Sequence, residues 1–139
     1  LVAWQDERLD ADGADIYAAR VSAAGAVLDA EGVVLARAPG TQQAPAVAWD
    51  GTRALVAWQD LRGADGADII GVMVSPGQRL SPSPASGMVL AGDKESELSP
   101  ALCGISTGGF LLGYQRLGAA GASWLEVRQV GAGVTPTGP

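Results

Sequence analysis

Two loops of this chain carry closely spaced aspartates, which could bind a hard cation. The candidates are Asp10, Asp12 and Asp15 in the first loop and Asp65 and Asp68 in the second. Carboxylates together with a glycine for a sharp turn are typical of calcium sites, so calcium is the candidate cofactor. Only the core DGAD recurs, and the distal glutamate of an EF-hand-like site is missing. The alternative is a plain turn, in which aspartate accepts backbone hydrogen bonds and glycine takes a positive φ.

An aspartate and an arginine stand two residues apart at Asp6 and Arg8, and again at Asp60 and Arg62. Such an arginine could bind a substrate carboxylate. A salt bridge that braces the loop is the plainer interpretation and the one we favour. The third copy has Arg116 where the others have aspartate, so the pair is not maintained there.

The chain offers no obvious nucleophile with its base. It contains no histidine, the commonest general base and transition-metal ligand. Cys103 is the only cysteine, and its apolar neighbours predict a buried, inert thiol. We therefore predict no catalytic residues. Carboxylates from different repeats could still form the acid pair of a glycoside hydrolase, which keeps a carbohydrate-active enzyme as the alternative.

The aromatic residues divide into two groups. Trp4, Trp58 and Tyr114 occupy equivalent positions inside apolar strands, which predicts a place in the core. Trp49 and Trp124 fall outside this pattern. They are therefore our candidates for an exposed contact with a ligand.

An internal repeat must position these residues. The sequence LVAWQD at 1–6 recurs letter for letter at 55–60, and a weaker copy, LLGYQR, follows at 111–116. The spacing is that of a small sheet unit, and it divides the chain into units 1–44, 45–99 and 100–139.

The units consist of short apolar runs bounded by glycine, proline or aspartate, which predicts strands and almost no helix. We predict about ten strands: two to four of the first unit, all four of the second, and one to three of the third. Residues 81–84, with two prolines, are expected to break the chain.

One strand indicates how the units pack. Residues 55–58 are apolar on both faces, as a strand requires when its sheet is covered on both sides. Four-stranded antiparallel units that cover one another are propeller blades. The sequence thus predicts an all-β fold, a partial β-propeller of about 2.5 four-stranded antiparallel blades.

At these positions the chain resembles a family of tandem repeats in secreted and cell-surface bacterial proteins. Its units run LVxWxDxR, DIYxxRVS and PxVAxDG, matched here at 1–8, 15–22 and 45–51. The resemblance implies a β-propeller, similar in outline to sialidase-like propellers, and a secreted or cell-surface location. The third unit departs from the pattern at Arg116 and at 123–125. A propeller fold does not imply one activity.

Charge and hydropathy limit the partners. The net charge of −6 argues against nucleic acid or an anionic membrane. No apolar run approaches the roughly 18–20 residues that cross a bilayer. The chain opens inside a repeat element, so we expect the remainder of a larger propeller, or other chains, to close the ring at open edges. We predict a non-catalytic extracellular scaffold or binding module for protein or glycan.

Overall fold

The computed structural model describes residues 1–8, 13–75, 77, 80–131 and 136–137. These residues form an all-β fold, as predicted, with a single turn of 3₁₀ helix at Ala119–Gly121. The part of the chain described contains no helix long and apolar enough to span a membrane. The strands are β1 (Val2–Asp6), β2 (Asp15–Ala19), β3 (Val33–Ala36), β4 (Gln42–Trp49), β5 (Ala54–Asp60), β6 (Asp68–Ser75), β7 (Ser81–Ala91), β8 (Ser96–Gly104), β9 (Phe110–Leu117), β10 (Ser123–Val130) and β11 (Pro136–Thr137).

The strands form three antiparallel sheets in which neighbours along the chain are also neighbours in the sheet. The first sheet has the order β1-β2-β3, the middle sheet β4-β5-β6-β7, and the third sheet β8-β9-β10-β11. Each repeat thus forms one meander of its own, because short loops join adjacent antiparallel strands most directly.

The two central strands of the middle sheet, β5 and β6, are covered on both faces. Every residue of β5 is buried. Val56 and Trp58 belong to the cluster that packs against the first sheet. Leu55 and Ala57 point the other way, into the cluster shared with the third sheet. This confirms the burial predicted for both faces of this strand, and the alternation of β6 follows the same division.

Each complete sheet opens with a strand that is bent by a bulge before a proline. The pairing register shifts between Gln43 and Ala46 in β4, and Ala44 has a φ of 51°. The same shift occurs in β8 at Ser99, whose φ is 53°. Proline is tolerated at a bulge because it has no N–H for the ladder. The strands therefore begin before the prolines, a few residues ahead of the unit boundaries drawn at 45 and 100.

Three expectations were wrong in detail. Residues 81–84 do not break the chain but begin β7, which is an edge strand and so tolerates proline. The third unit does have a fourth strand, because Pro136–Thr137 pairs with the end of β10. Cys103 is exposed rather than buried. It lies opposite Leu111, on the face of the third sheet that the middle sheet does not cover.

Equivalent leucines provide a test of the sheet stacking. Leu55 and Leu111 hold the same repeat position, but Leu55 is 0% exposed between two sheets and Leu111 is 42% exposed. We expect Leu55→Ala to lower the free energy of unfolding by about 2–5 kcal/mol, the usual cost of truncating a core leucine. Leu111→Ala, the matched control, should cost less than about 1 kcal/mol. Urea unfolding followed by tryptophan fluorescence measures both, and equal losses would contradict the stacking.

Candidate functional site

At the ends of β1 and β5, an aspartate accepts hydrogen bonds from a tryptophan of the strand and from an arginine of the following loop. We call this set of hydrogen bonds a bracket. Asp60 is almost fully buried and accepts hydrogen bonds from the indole N–H of Trp58 at 2.8 Å and from Nε and Nη2 of Arg62 at 2.8 and 2.6 Å. Asp6 accepts the equivalent bonds from Trp4 and Arg8. These hydrogen bonds hold the pKa of Asp6 well below its usual range, and those from Arg8 have the largest effect. The bracing interpretation is confirmed: each guanidinium group is held by the aspartate of its own loop, and Arg8 also donates through Nη1 to the carbonyl of Glu31.

The third sheet keeps the bracket but moves its acid to the next strand. Glu126 of β10 lies directly opposite Tyr114 and accepts hydrogen bonds from the Tyr114 hydroxyl and from Arg116 Nη1. The bond from Tyr114 is the main reason that the pKa of Glu126 falls to about 2. The loss of the aspartate is thus compensated by an acid 10 residues from Arg116, which repeat alignment alone does not reveal.

The two DGAD loops join consecutive sheets. The backbone N–H of Gln42, in the first strand of the middle sheet, donates a 2.7 Å hydrogen bond to the carbonyl of Ala14. The backbone N–H of Glu97, in the first strand of the third sheet, donates a 2.7 Å hydrogen bond to the carbonyl of Ala67. We call these contacts the first and second sheet joints.

Glycine permits the close approach at each joint. Gly13 has a φ of +142°, and a Cβ there would lie 2.6 Å from Thr41 Oγ1. Gly66 has a φ of +131°, and a Cβ would lie 2.7 Å from Ser96 Oγ. Both features disfavour any larger residue, so the recurrence of the glycine in DGAD has a structural cause.

The calcium hypothesis for these loops stays a prediction. Asp10 and Asp12 lie outside the described residues. Asp15 is buried, with Oδ2 3.7 Å from Arg37 Nε, whereas Asp65 is exposed. Asp68 is half-buried. Over the described ranges, no three carboxylate, cysteine or histidine side chains are grouped closely enough to hold a metal ion.

A buried glutamate that the sequence analysis missed lies at the second joint. Glu97 is 0% exposed and occupies the position that Gln42 has at the first joint. Its Oε1 lies 3.2 Å from Arg116 Nε, but neither oxygen has a hydrogen bond of good geometry. Alignment of QQAP at 42–45 with ELSP at 97–100 is the signal that could have found it.

The carboxylates at this joint repel one another. Burial is the main cause that raises the pKa of Glu97, and the charges of Asp68 and Asp93 raise it further. Arg116 and Arg128 act in the opposite direction. Burial also raises the pKa of Asp68, assisted by the nearby charge of Asp60. The joint therefore holds a charged glutamate at neutral pH only at a cost in free energy.

Trp49 stands at the other end of the strands, beside a groove between the first and middle sheets. The groove has a volume of about 300 Å³. Its lining consists mainly of apolar side chains, with Arg20 at the rim: Leu1, Val21, Leu28, Trp49, Ala54, Val74 and Leu80. Trp49, a candidate contact residue from the sequence, is 51% exposed. A second hollow, of about 260 Å³, lies against the same tryptophan and includes Val47 and Ala48.

Trp49 differs from the other tryptophans in its bonding. Trp4, Trp58 and Trp124 each donate their indole N–H to a carboxylate. Within the described residues, Trp49 has no such partner. Trp124 is also exposed, at 42%, but its N–H reaches Glu126 at 3.1 Å and its ring lies close over Gly118. Of the two predicted contact residues, Trp49 is the one free to bind, and the structure does not bring the two together in one pocket.

The two joints supply a matched pair of variants for the charge at Glu97. A group whose pKa is raised by folding adds stability below its unfolded value of 4.5, and this contribution is lost as the pH rises through the folded value. We therefore expect Glu97→Gln, which copies Gln42, to raise the free energy of unfolding at pH 7.5. The gain should shrink as the pH falls towards 4.

Gln42→Glu is the control, since it introduces the same charge at the first joint and should destabilise the protein at pH 7.5. Urea titrations at both pH values measure these differences. A Glu97→Gln protein less stable than the original at pH 7.5 would mean that the ion pair with Arg116 outweighs the burial of the charge.

Comparison with known proteins adds no relative to this description. A scan against protein-family models, a search of curated proteins and a search of solved structures each found no match to the chain.

Proposed function

We propose that this chain is a non-catalytic scaffold and binding module made of consecutive β-propeller blades. The support is the stacking of three antiparallel meanders through both faces of the middle one. A two-sheet sandwich would leave each sheet one face in solvent, whereas blades cover one another. The repeated joint favours blades as well, because the same loop meets the first strand of the following sheet each time.

The binding function belongs to the groove beside Trp49. The observation that carries it is a half-exposed indole without a hydrogen-bond partner, next to apolar side chains that are themselves exposed. Leu28 is 54% exposed and Val21 is 40% exposed. Exposed tryptophans in apolar hollows are typical anchors of protein interfaces, and contiguous apolar surface marks interaction sites.

The polar groups at the rim favour a protein over a glycan. Arg20 donates to both oxygens of Asp29 and, through Nη1, to the carbonyl of Gly77. The bond from Arg20 is the main reason that the pKa of Asp29 falls to about 2. A sugar needs polar partners as well as a stacking surface, and these groups already satisfy one another. The groove is better suited to one or two apolar side chains of a partner protein.

The wider setting follows from the repeat motifs. Their resemblance to secreted and cell-surface bacterial repeats is the basis for proposing an extracellular location. In that setting further sheets of the same kind close the ring, and the groove is displayed at the seam between two blades.

Peptide display tests the groove directly. A phage library of random peptides is selected on the immobilised chain, and a glycan array is probed in parallel. We expect selected peptides with apolar or aromatic anchors, whose Kd rises about 30-fold with Trp49→Ala, the effect of a hot spot worth about 2 kcal/mol. Isothermal titration calorimetry measures the change.

Trp124→Ala is the matched control, because it removes another exposed tryptophan, 42% against 51% for Trp49, that lies away from the groove and should leave the Kd unchanged. Peptides whose Kd is unchanged by Trp49→Ala, or binding by glycans alone, would contradict the proposed protein-binding groove.

A further inference from the structure

Two sheet faces of the described chain remain uncovered, and both carry exposed apolar side chains. On the first sheet, the face turned away from the middle sheet presents Val2, Trp4 and Val34; Val2 is 50% exposed and Val34 is 37% exposed. An apolar hollow of about 300 Å³ runs beside Val2 and Trp4. On the third sheet, the outward face presents Leu111, Leu125 and Val127, which are 42%, 74% and 61% exposed. We call these the first-sheet and third-sheet end faces.

The third-sheet end face matches a surface that is covered elsewhere in the molecule. Leu111 holds the repeat position of Leu55, and strand pairing gives Leu125 the position of Ile69. Leu55 and Ile69 are both 0% exposed because the third sheet packs on them. The third-sheet end face is therefore the same kind of surface without its cover.

The first-sheet end face matches the surface with which each later sheet packs on the sheet before it. Val2 and Trp4 hold the repeat positions of Val56 and Trp58, which pack against the preceding sheet. The Trp4 ring is already fixed, since its N–H donates to Asp6 and its face stacks on Tyr17 with centroids 6.2 Å apart. Little side-chain entropy would be lost when this surface docks.

We propose that the two end faces bind each other between copies of this chain, with the first-sheet end face of one copy on the third-sheet end face of the next. The inference rests on the stacking of repeat sheets in the proposed function and is independent of the Trp49 groove. The two surfaces differ, so the contact is heterologous. Such a contact leaves one free face at each end, and association continues past the dimer unless a ring closes.

Complementary variants test this arrangement. Val2→Asp places a charge in the first-sheet end face, and Leu125→Asp places one in the third-sheet end face. We expect sedimentation velocity to show species larger than a dimer for the original chain at high micromolar concentration, and monomers for each variant alone. A mixture of the two variants retains one intact pair of faces and should form a one-to-one complex that grows no further.

Cys103 reports which face is covered, since it is exposed on the third-sheet end face opposite Leu111. In the mixture, thiol labelling should slow on the Val2→Asp chain and stay fast on the Leu125→Asp chain. Val89→Asp is the control, because Val89 is 52% exposed on the middle sheet, away from both end faces, and should leave association unchanged. Circular dichroism checks that each variant is folded.

A monomeric original chain, a symmetric dimer that stops at two copies, or a mixture that stays monomeric would each overturn the proposal. Peptide binding at the Trp49 groove is measured on the Leu125→Asp chain. If the chain does not associate through its end faces but still binds peptide, only this inference fails and the proposed function stands. If the chain associates but binds no peptide, the proposed binding function fails and this inference stands.

Discussion

The structure depends on the burial of both faces of β5 and β6. Leu55 and Val56 are neighbours in sequence, yet they point into different clusters because successive side chains of a strand alternate between faces. Both clusters are shielded from water only when a sheet packs on each face of the middle sheet. A single repeat therefore cannot be stable by itself, and the first and third sheets are required covers for the middle one.

Polar groups brace the strand ends and connect each sheet to the next. The brackets hold the ends of β1, β5 and β9. The joints connect each DGAD loop to the first strand of the following sheet. The first joint uses a neutral side chain, Gln42, which bonds to the backbone of its own turn at Ala38 and Gly40. The second uses a buried Glu97 among other acids and depends on Arg116 for compensation. The two interfaces share a backbone design but differ in their electrostatics.

The exposed apolar residues of the two end faces lie where this repeated packing meets no further sheet among the described residues. The end faces are half-interfaces whose other half the chain itself contains. The groove beside Trp49 is different in kind, because it lies at the rim where strands of two sheets end. Repeat packing therefore explains the end faces but not the exposure of the Trp49 side chain.

The sequence by itself determined the all-β fold, the repeat and the salt bridges of Asp6 and Asp60, and it singled out Trp49 and Trp124 as tryptophans outside the repeated core position. These follow from local signals: alternation, run length, spacing along one strand, and departure from a repeated position. Only the tertiary structure decided that Glu126 replaces the missing aspartate, that Glu97 is buried beside Asp68, and that Cys103 is exposed. Each of these depends on what lies opposite the residue: the adjacent strand for Glu126, a second sheet for Glu97 and, among the described residues, no further sheet for Cys103.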